Sequence, residues 1–345
     1  MTRFIQLHLL TSYPPSNLNR DDAGNPKTAR VGGVERLRIS SQSLKRAWRT
    51  SEVFQQRLAG NIGTRTKRLG HDAFNAFVAA GIAQKKATEW ASQIAKVYGA
   101  VKKDQPLEIE QLVHIAPEER ETLDALIAKV AQEKREPTDE ELNGLLHMQH
   151  AVDIAMFGRM LAAKTEFNGE AAVQVAHAFG VHASAIEDDY FTAVDDLNPD
   201  SESGAGHVGE AGFAAAVFYQ YICIDRDRLK RNLGGDEAYT QKALAALIEA
   251  ALTVGPSGKQ NSFASRARAH YALAEKGAQQ PRSLSLAFVQ PVAGASYASD
   301  AIAVLRKLRK NMDAVYGDCA DERYEIDVLE GQGTMKDLVA FVAAE

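Results

Sequence analysis

Apolar residues alternate and then run together over residues 3–11 (RFIQLHLLT), the signature of a buried strand, and the prolines of residues 12–15 predict its end. From 17 to 33 no period survives. Asn, Asp, Gly and Pro cluster there, which predicts a loop, and loops of that length are functional or disordered. Residues 39–57 read as a helix with Ser40 or Ser41 as N-cap and Leu44, Ala47 and Trp48 on the inward side. Residues 65–180 are helical and Ala-rich, broken at Pro137, and predict an inserted helical subdomain. The stretch EDDYFTAVDDLNPDSESGAGHVGEAG, residues 187–212, is too polar to pack and predicts an excursion from the surface. Residues 213–225 (FAAAVFYQYICID) predict a central strand, residues 238–252 a helix and residues 283–289 a further strand. This order predicts an α+β sandwich of the ferredoxin-like or RNA-recognition (RRM) type. The sandwich would hold residues 1–60 and 182–345, with the excursion 192–212 inserted, and residues 61–181 would form the helical insertion.

Composition narrows the function classes. The chain has 345 residues, 45% of them hydrophobic, enough for one large domain with an insertion. No apolar run reaches the length of a bilayer span and the N-terminus does not read as a signal peptide, so the expectation is a cytoplasmic protein without membrane partners. Cys223 and Cys319 show no metal or disulfide spacing, and no cofactor is expected. A net charge of −5 argues against a whole-surface polyanion binder but permits a local basic groove.

That groove has a candidate. Lys27, Arg30, Arg36, Arg38, Lys45, Arg46 and Arg49 stand within 23 residues against one acid, Glu35. On a helix, Gln42, Lys45, Arg46 and Arg49 fall within an arc of roughly 100°, opposite Leu44, Ala47 and Trp48. A phosphate at such a helix start would meet backbone N–H groups and the Ser40 and Ser41 hydroxyls, with the cations one and two turns behind. Asn19, Arg20 and Lys27 add reach from the preceding loop, and Gly32-Gly33 allows a tight turn or a close approach. The alternative is a solvated polar helix face, and the loop tips the balance toward phosphate tracking. Tyr190, Phe191 and Thr192, at the root of the excursion, could stack on bases or simply anchor it.

Several strings resemble a known family. FIQLHLLTSYPPSNLNRDDAGNPKTARVGGVERLRISSQSLKRAWR, VDIAMFGRM, FTAVDDL, FYQYICID with RNLGG after it, and GKQNSFA are similar to the CasC-type backbone subunits (Cas seven family) of type I-E CRISPR surveillance complexes, known as Cascade. The resemblance runs in order along nearly the whole chain and is weakest in the helical insertion and the C-terminal tail. It implies a hand-shaped subunit with a palm, helical fingers and a thumb loop, stacked in several copies along a CRISPR RNA (crRNA). It implies crRNA contacts at Arg20, Lys27, Ser40, Gln42, Lys45, Arg46 and Arg49, to which Asn19, Ser41 and Lys259 are added as candidates, and a thumb root at Tyr190, Phe191 and Thr192. A family example carries Trp where Tyr190 stands, and stacking survives that change. Gly158, Arg159 and Met160 would lie near a displaced nucleotide. The implied partners are crRNA, target DNA through the guide heteroduplex, neighbouring copies, and the large, small and crRNA-end-binding subunits. Such a subunit binds and catalyses nothing.

Three rivals remain at this level. Related backbone subunits cut target RNA with a metal and a loop aspartate, and Asp21-Asp22 occupies a comparable loop, although adjacent carboxylates beside Arg20 also suit a braced turn. His147, His150 and Asp153 have helical spacing but lack HExxH, and Gly255, Gly258 and Lys259 lack full phosphate-loop spacing. A helical scaffold that binds no nucleic acid is the third.

Overall fold

The computed structural model describes residues 2–147, 151–161, 164–193 and 207–344. In chain order these form β1 (Phe4–Ser16), β2 (Thr28–Val31), β3 (Val34–Ile39), α1 (Ser41–Arg49), α2 (Glu52–Arg57), β4 (Thr64–Thr66), α3 (Leu69–Ala79), α4 (Gln84–Tyr98), β5 (Val113–Ile115), α5 (Pro117–Glu133), α6 (Asp139–Asn143), α7 (Val152–Phe157), β6 (Val173–Val175), β7 (Ala178–Gly180), β8 (Glu187–Ala193), β9 (His207–Asp225), α8 (Arg226–Asn232), α9 (Glu237–Thr253), α10 (Gln260–Phe263), β10 (Ala269–Gly277), α11 (Tyr297–Tyr316), β11 (Glu322–Asp327) and α12 (Met335–Ala343). The chain separates into two compact units, one of residues 1–54, 174–224 and 244–345 and the other of residues 55–173 and 225–243.

The first unit is built on a large sheet in the order β11-β10-β1-β9-β7-β3-β2. Taking β1, α1, β7, β9, α9 and β10 in sequence gives β-α-β-β-α-β, the ferredoxin-like succession, and the expected fold class is what the structure has. A β2–β3 hairpin is spliced in after β1, and β11 extends the far edge by pairing with β10 from Tyr271↔Asp327 to Lys276↔Glu322. On one face Leu44 of α1 and Ala251 and Leu252 of α9 pack toward Tyr13, Ile39 and Phe218. On the other, Tyr219, Tyr271 and Leu273 are buried beneath Ala301, Ile302 and Leu305 of α11. In a simple RNA-recognition domain that second face is the open platform on which bases stack. Here α11 covers that face.

Local chemistry explains where elements depart from the sequence expectation. Residues 17–33 contain a hairpin: Gly32 and Gly33 both take positive φ (61° and 83°), the two-residue turn that suits strand twist, and Val31 faces Val34 across it. A Cβ on Gly32 would stand 1.6 Å from the Val289 carbonyl oxygen, so no other residue fits. The expected helix 39–57 is two helices, because the Ser51 hydroxyl donates to the Trp48 carbonyl and accepts from the Phe54 N–H, closing one helix and capping the next. Strand β1 continues past its predicted end through Pro14 and Pro15; Thr11, opposite Ala269, is its last residue registered on β10, so the missing proline N–H groups cost no β10 pairing. Residues 283–289 hold a 3-10 turn (Ser285–Phe288) instead of a strand, with Leu284 and Phe288 buried a helical turn apart. The expected surface excursion begins as a ribbon, β8 registered on β9 from Glu187↔Phe213 to Ala193↔His207. The remainder of the 192–212 excursion, residues 194–206, lies outside the described residues.

The second unit is the helical insertion, and it also holds a β4–β5 pair (Thr64↔Ile115). Its core is Phe77 and Trp90, edge to face at 6.0 Å, with Ala91, Ile94, Leu123 and Ile127. Its limits differ from the expected 61–181: Ala178 and Phe179 belong to the sheet, paired with Ile39 and Arg38, while residues 225–243 join the helices. Among the described residues no helix is long and apolar enough to cross a membrane.

Candidate nucleic-acid interface

The first unit gathers several of the predicted residues at the start of α1. Asn19 Oδ1 accepts the Ser40 N–H at 2.8 Å, the Asn19 carbonyl accepts the Lys27 N–H at 2.8 Å, and the Lys27 carbonyl accepts the Arg38 N–H at 2.7 Å. Three short bonds thus tie the loop, the hairpin and the helix start together. Ser40 is the N-cap, its hydroxyl accepting the Ser43 N–H at 3.2 Å. The Ser41 N–H is also taken, by His177 Nδ1 at 3.1 Å. The expectation that a ligand would meet free N–H groups here is therefore corrected: two of the first-turn donors are satisfied by side chains. What remains at this end is the helix dipole and the cations around it.

Along α1 the predicted amphipathicity is what the structure has. Leu44 and Trp48 are buried, and Trp48 Nε1 donates to the Val254 carbonyl at 3.2 Å, fixing the helix roll. Gln42 and Arg46 are exposed, Lys45 and Arg49 half-buried, and partial burial lowers the Lys45 pKa. Arg36 does not belong with these cations. Its side chain is fully buried and donates to the carbonyls of Gly180 (2.9 Å), Phe288 (3.1 Å) and Val289 (3.3 Å), holding the Gly32 turn against residues 288–289.

Distant sequence joins this region. Asn17, fully buried, donates from Nδ2 to the carbonyls of Gly24 (2.9 Å) and Gly212 (2.8 Å), pinning the loop to the base of the β8–β9 ribbon. A Cβ on Gly258 would stand 2.3 Å from the Leu18 carbonyl oxygen, so the backbone beside exposed Lys259 lies directly on the loop at Asn17 and Leu18. A cleft of about 510 Å3 opens at the other end of α1 between Ala47, Thr50, Ser51, Val254, Arg266 and Arg268. The sequence reading did not single out Asn17, His177, Arg266 or Arg268. The run of cations was the available signal, and it could not show what folds against it.

Other candidates fall elsewhere. Tyr190 and Phe191 are neighbours on a strand and face opposite sides of the ribbon, so they cannot hold one base between them. The Phe191 ring covers Gly209 across the ribbon, where a Cβ would lie 2.4 Å from its Cζ; Tyr190 (68% exposed) and Thr192 occupy the other face. Arg159 is corrected outright: it is buried in the second unit, its Nη1 2.6 Å from Glu119 Oε2 and its Nη2 on the Phe167 carbonyl at 3.1 Å. It braces α5 and has no reach to a ligand. Met160 is 76% exposed beside it, and Gly158 (φ 82°) makes the turn before it.

For the rivals, Asp21 closes its own turn: Oδ1 accepts the Asn25 N–H at 2.9 Å. Asp153 pairs with His114 at 2.8 Å, and His147 Nε2 faces the Thr122 hydroxyl at 3.2 Å, so those two residues do not share a site; His150 lies outside the described residues. Among the described residues no group of three His, Cys, Asp or Glu side chains could hold a metal ion.

Comparison with known proteins supplies the family. The family model described as CT1975-like protein matches residues 5–338. The chain belongs to this family, a Cas seven group. A solved chain titled "CRISPR RNA-guided surveillance complex, pre-nicking" is 28% identical, with a TM-score of 0.84 and coverage of 98% of this chain and 100% of that one. A second, titled "CRISPR RNA-guided surveillance complex", is 25% identical with a TM-score of 0.74 over 99% and 100%. No curated protein matches the chain. The Cas seven likeness thus extends over both units.

Proposed function

We propose that this protein is the guide-RNA-binding backbone subunit of a type I-E CRISPR surveillance complex, polymerising along the crRNA spacer and presenting its bases to target DNA for antiviral defence. The observation that carries the reading is that Asn19, Lys27 and Arg38 are tied to the start of α1 with its exposed basic side, and the Gly258–Lys259 backbone packs on the same loop, while the face that would stack bases is covered by α11. Cations on an edge, without a base-reading platform, suit a grip on phosphates in which the RNA reads sequence. Membership of the family and the two surveillance-complex likenesses support the same role. A head-to-tail contact that does not close would generate the filament, bounded by other subunits. The role is one of binding and not of cleavage, in keeping with an Asp21 carboxylate engaged in its own turn.

The test is RNA retention. Lys45→Ala with Arg46→Ala should reduce copurified guide RNA and make the logarithmic salt slope of binding shallower by about 1.4, since each phosphate contact on a single strand contributes about 0.7. Unchanged RNA content and slope would favour a scaffold that binds no nucleic acid. Cleavage of complementary RNA with manganese, abolished by Asp21→Ala, would replace the proposal with the nuclease.

A further inference from the structure

We propose that His177 is itself a guide contact, a positioned neutral donor whose Nε2–H meets a phosphodiester oxygen of the strand crossing the start of α1; this rests on the RNA-binding reading above. Its Nδ1 lies within hydrogen-bond distance of the Ser41 backbone nitrogen, at 3.1 Å, and of Arg38 Nη1, at 3.3 Å. Both are donors, so Nδ1 must present its lone pair and the ring proton must reside on Nε2. A proton on Nδ1 would set three N–H groups against one another. Burial, Arg38 and Lys27 together lower the imidazole pKa, in the same direction as the geometry.

The ring is exposed, and among the described residues Nε2 has no protein partner. It therefore offers one donor, fixed in direction by the two bonds on its far side, in the field of Lys27, Arg38 and the helix N-terminus. Like charges crowded at that point repel, and an anionic oxygen at Nε2 relieves them. A residue present only to cap Ser41 would need just the Nδ1 acceptor.

That difference can be measured. Asn places an oxygen close to where Nδ1 stands and keeps the cap but loses the outer donor; Gln places an N–H close to where Nε2 stands. The full-length wild type, His177→Asn and His177→Gln would be titrated with a spacer-length oligoribonucleotide by filter retention, below their melting transitions. The expected result is about tenfold weaker binding for His177→Asn, as for a hydrogen bond to a charged acceptor, and recovery to within about threefold of wild type for His177→Gln. Wild-type affinity in His177→Asn, or equal loss in both variants, refutes the contact. If Lys45→Ala with Arg46→Ala still weakens binding in that case, the RNA-binding reading stands without it; a wild type that does not retain RNA refutes both.

Discussion

Arg159 separates two accounts of the GRM segment, and Arg159→Met is the variant that decides between them. The resemblance assigns this arginine to nucleic acid; the structure spends it on Glu119, with both side chains buried (1% and 0% exposed) at 2.6 Å. Removing one member of a buried pair leaves an uncompensated charge and costs about 3–5 kcal/mol. Glu119 keeps two backbone donors, Ala116 N–H and His147 N–H, both at 3.0 Å, so the low end applies. The expected loss is about 3 kcal/mol, read as a urea midpoint about 1.5 M lower for a slope of about 2 kcal/mol per M. Arg159→Met with Glu119→Leu should recover only part of it: the uncompensated charge is gone, but the Ala116 and His147 N–H groups lose their acceptor. RNA affinity, measured on folded protein well below the transition, should stay at the wild-type value. The reasoning fails if Arg159→Met unfolds within about 0.5 kcal/mol of wild type while losing RNA.

The sequence carries some parts of this molecule in short windows and others not at all. Strand β1 and the two sides of α1 are legible because alternation and the 3.6-residue period are local: Leu44 and Trp48 are inward and Gln42 and Arg46 outward, as spacing alone requires. Strand β7 is three residues long and has no period to read. Strand β10 is misleading, since AHYALAEKG places Glu275 and Lys276 in a run suited to a helix, yet both are buried at 0% and 2%. Their burial is satisfied from far along the chain: His8, Arg282 and Arg323 reach Glu275, and Lys276 Nζ donates to the Phe341 and Ala344 carbonyls, each at 3.3 Å. The same holds at the candidate interface. The cluster of cations predicts a basic surface, but that Arg36 is internal depends on the Gly180, Phe288 and Val289 carbonyls, which no local pattern contains.

Two further perturbations test the frame around the site. Asn17→Ala strands the buried Gly212 carbonyl and frees the half-buried Gly24 carbonyl; a loss of about 2 kcal/mol in urea unfolding is expected, with weaker RNA retention as the loop loosens from the ribbon, and unchanged stability would refute the pin. The second concerns acid. In the palm core the Leu284 N–H donates to Tyr219 Oη at 3.0 Å, Tyr219 lies 2.9 Å from His8 Nδ1, and His8 Nε2 lies 3.3 Å from Glu275, which also receives Arg323 Nε at 2.8 Å and Arg282. Burial alone would raise the Glu275 pKa, but hydrogen bonds from His8, Arg282 and Arg323 outweigh it and hold the carboxyl well below the usual carboxylate range. Burial lowers the His8 pKa, against the pull of Glu275. Both folded values lie below the unfolded ones, so the unfolded chain binds more protons in the window between them and stability rises with pH there. The urea midpoint should accordingly be flat just above the ordinary histidine value of 6.5, decline below it as His8, together with His177 and His270, whose pKa values are also lowered, resists protonation, and decline more steeply below the ordinary glutamate value of 4.5. Glu275→Gln should be less stable at neutral pH, because Arg282 and Arg323 lose the charge of Glu275 and keep only Asp313, and should show a shallower second decline, the part left coming from Glu141 and Glu237, whose ion pairs also hold their pKa values down. Parallel curves for the two proteins would mean that Glu275 is not the group through which acid loosens the palm.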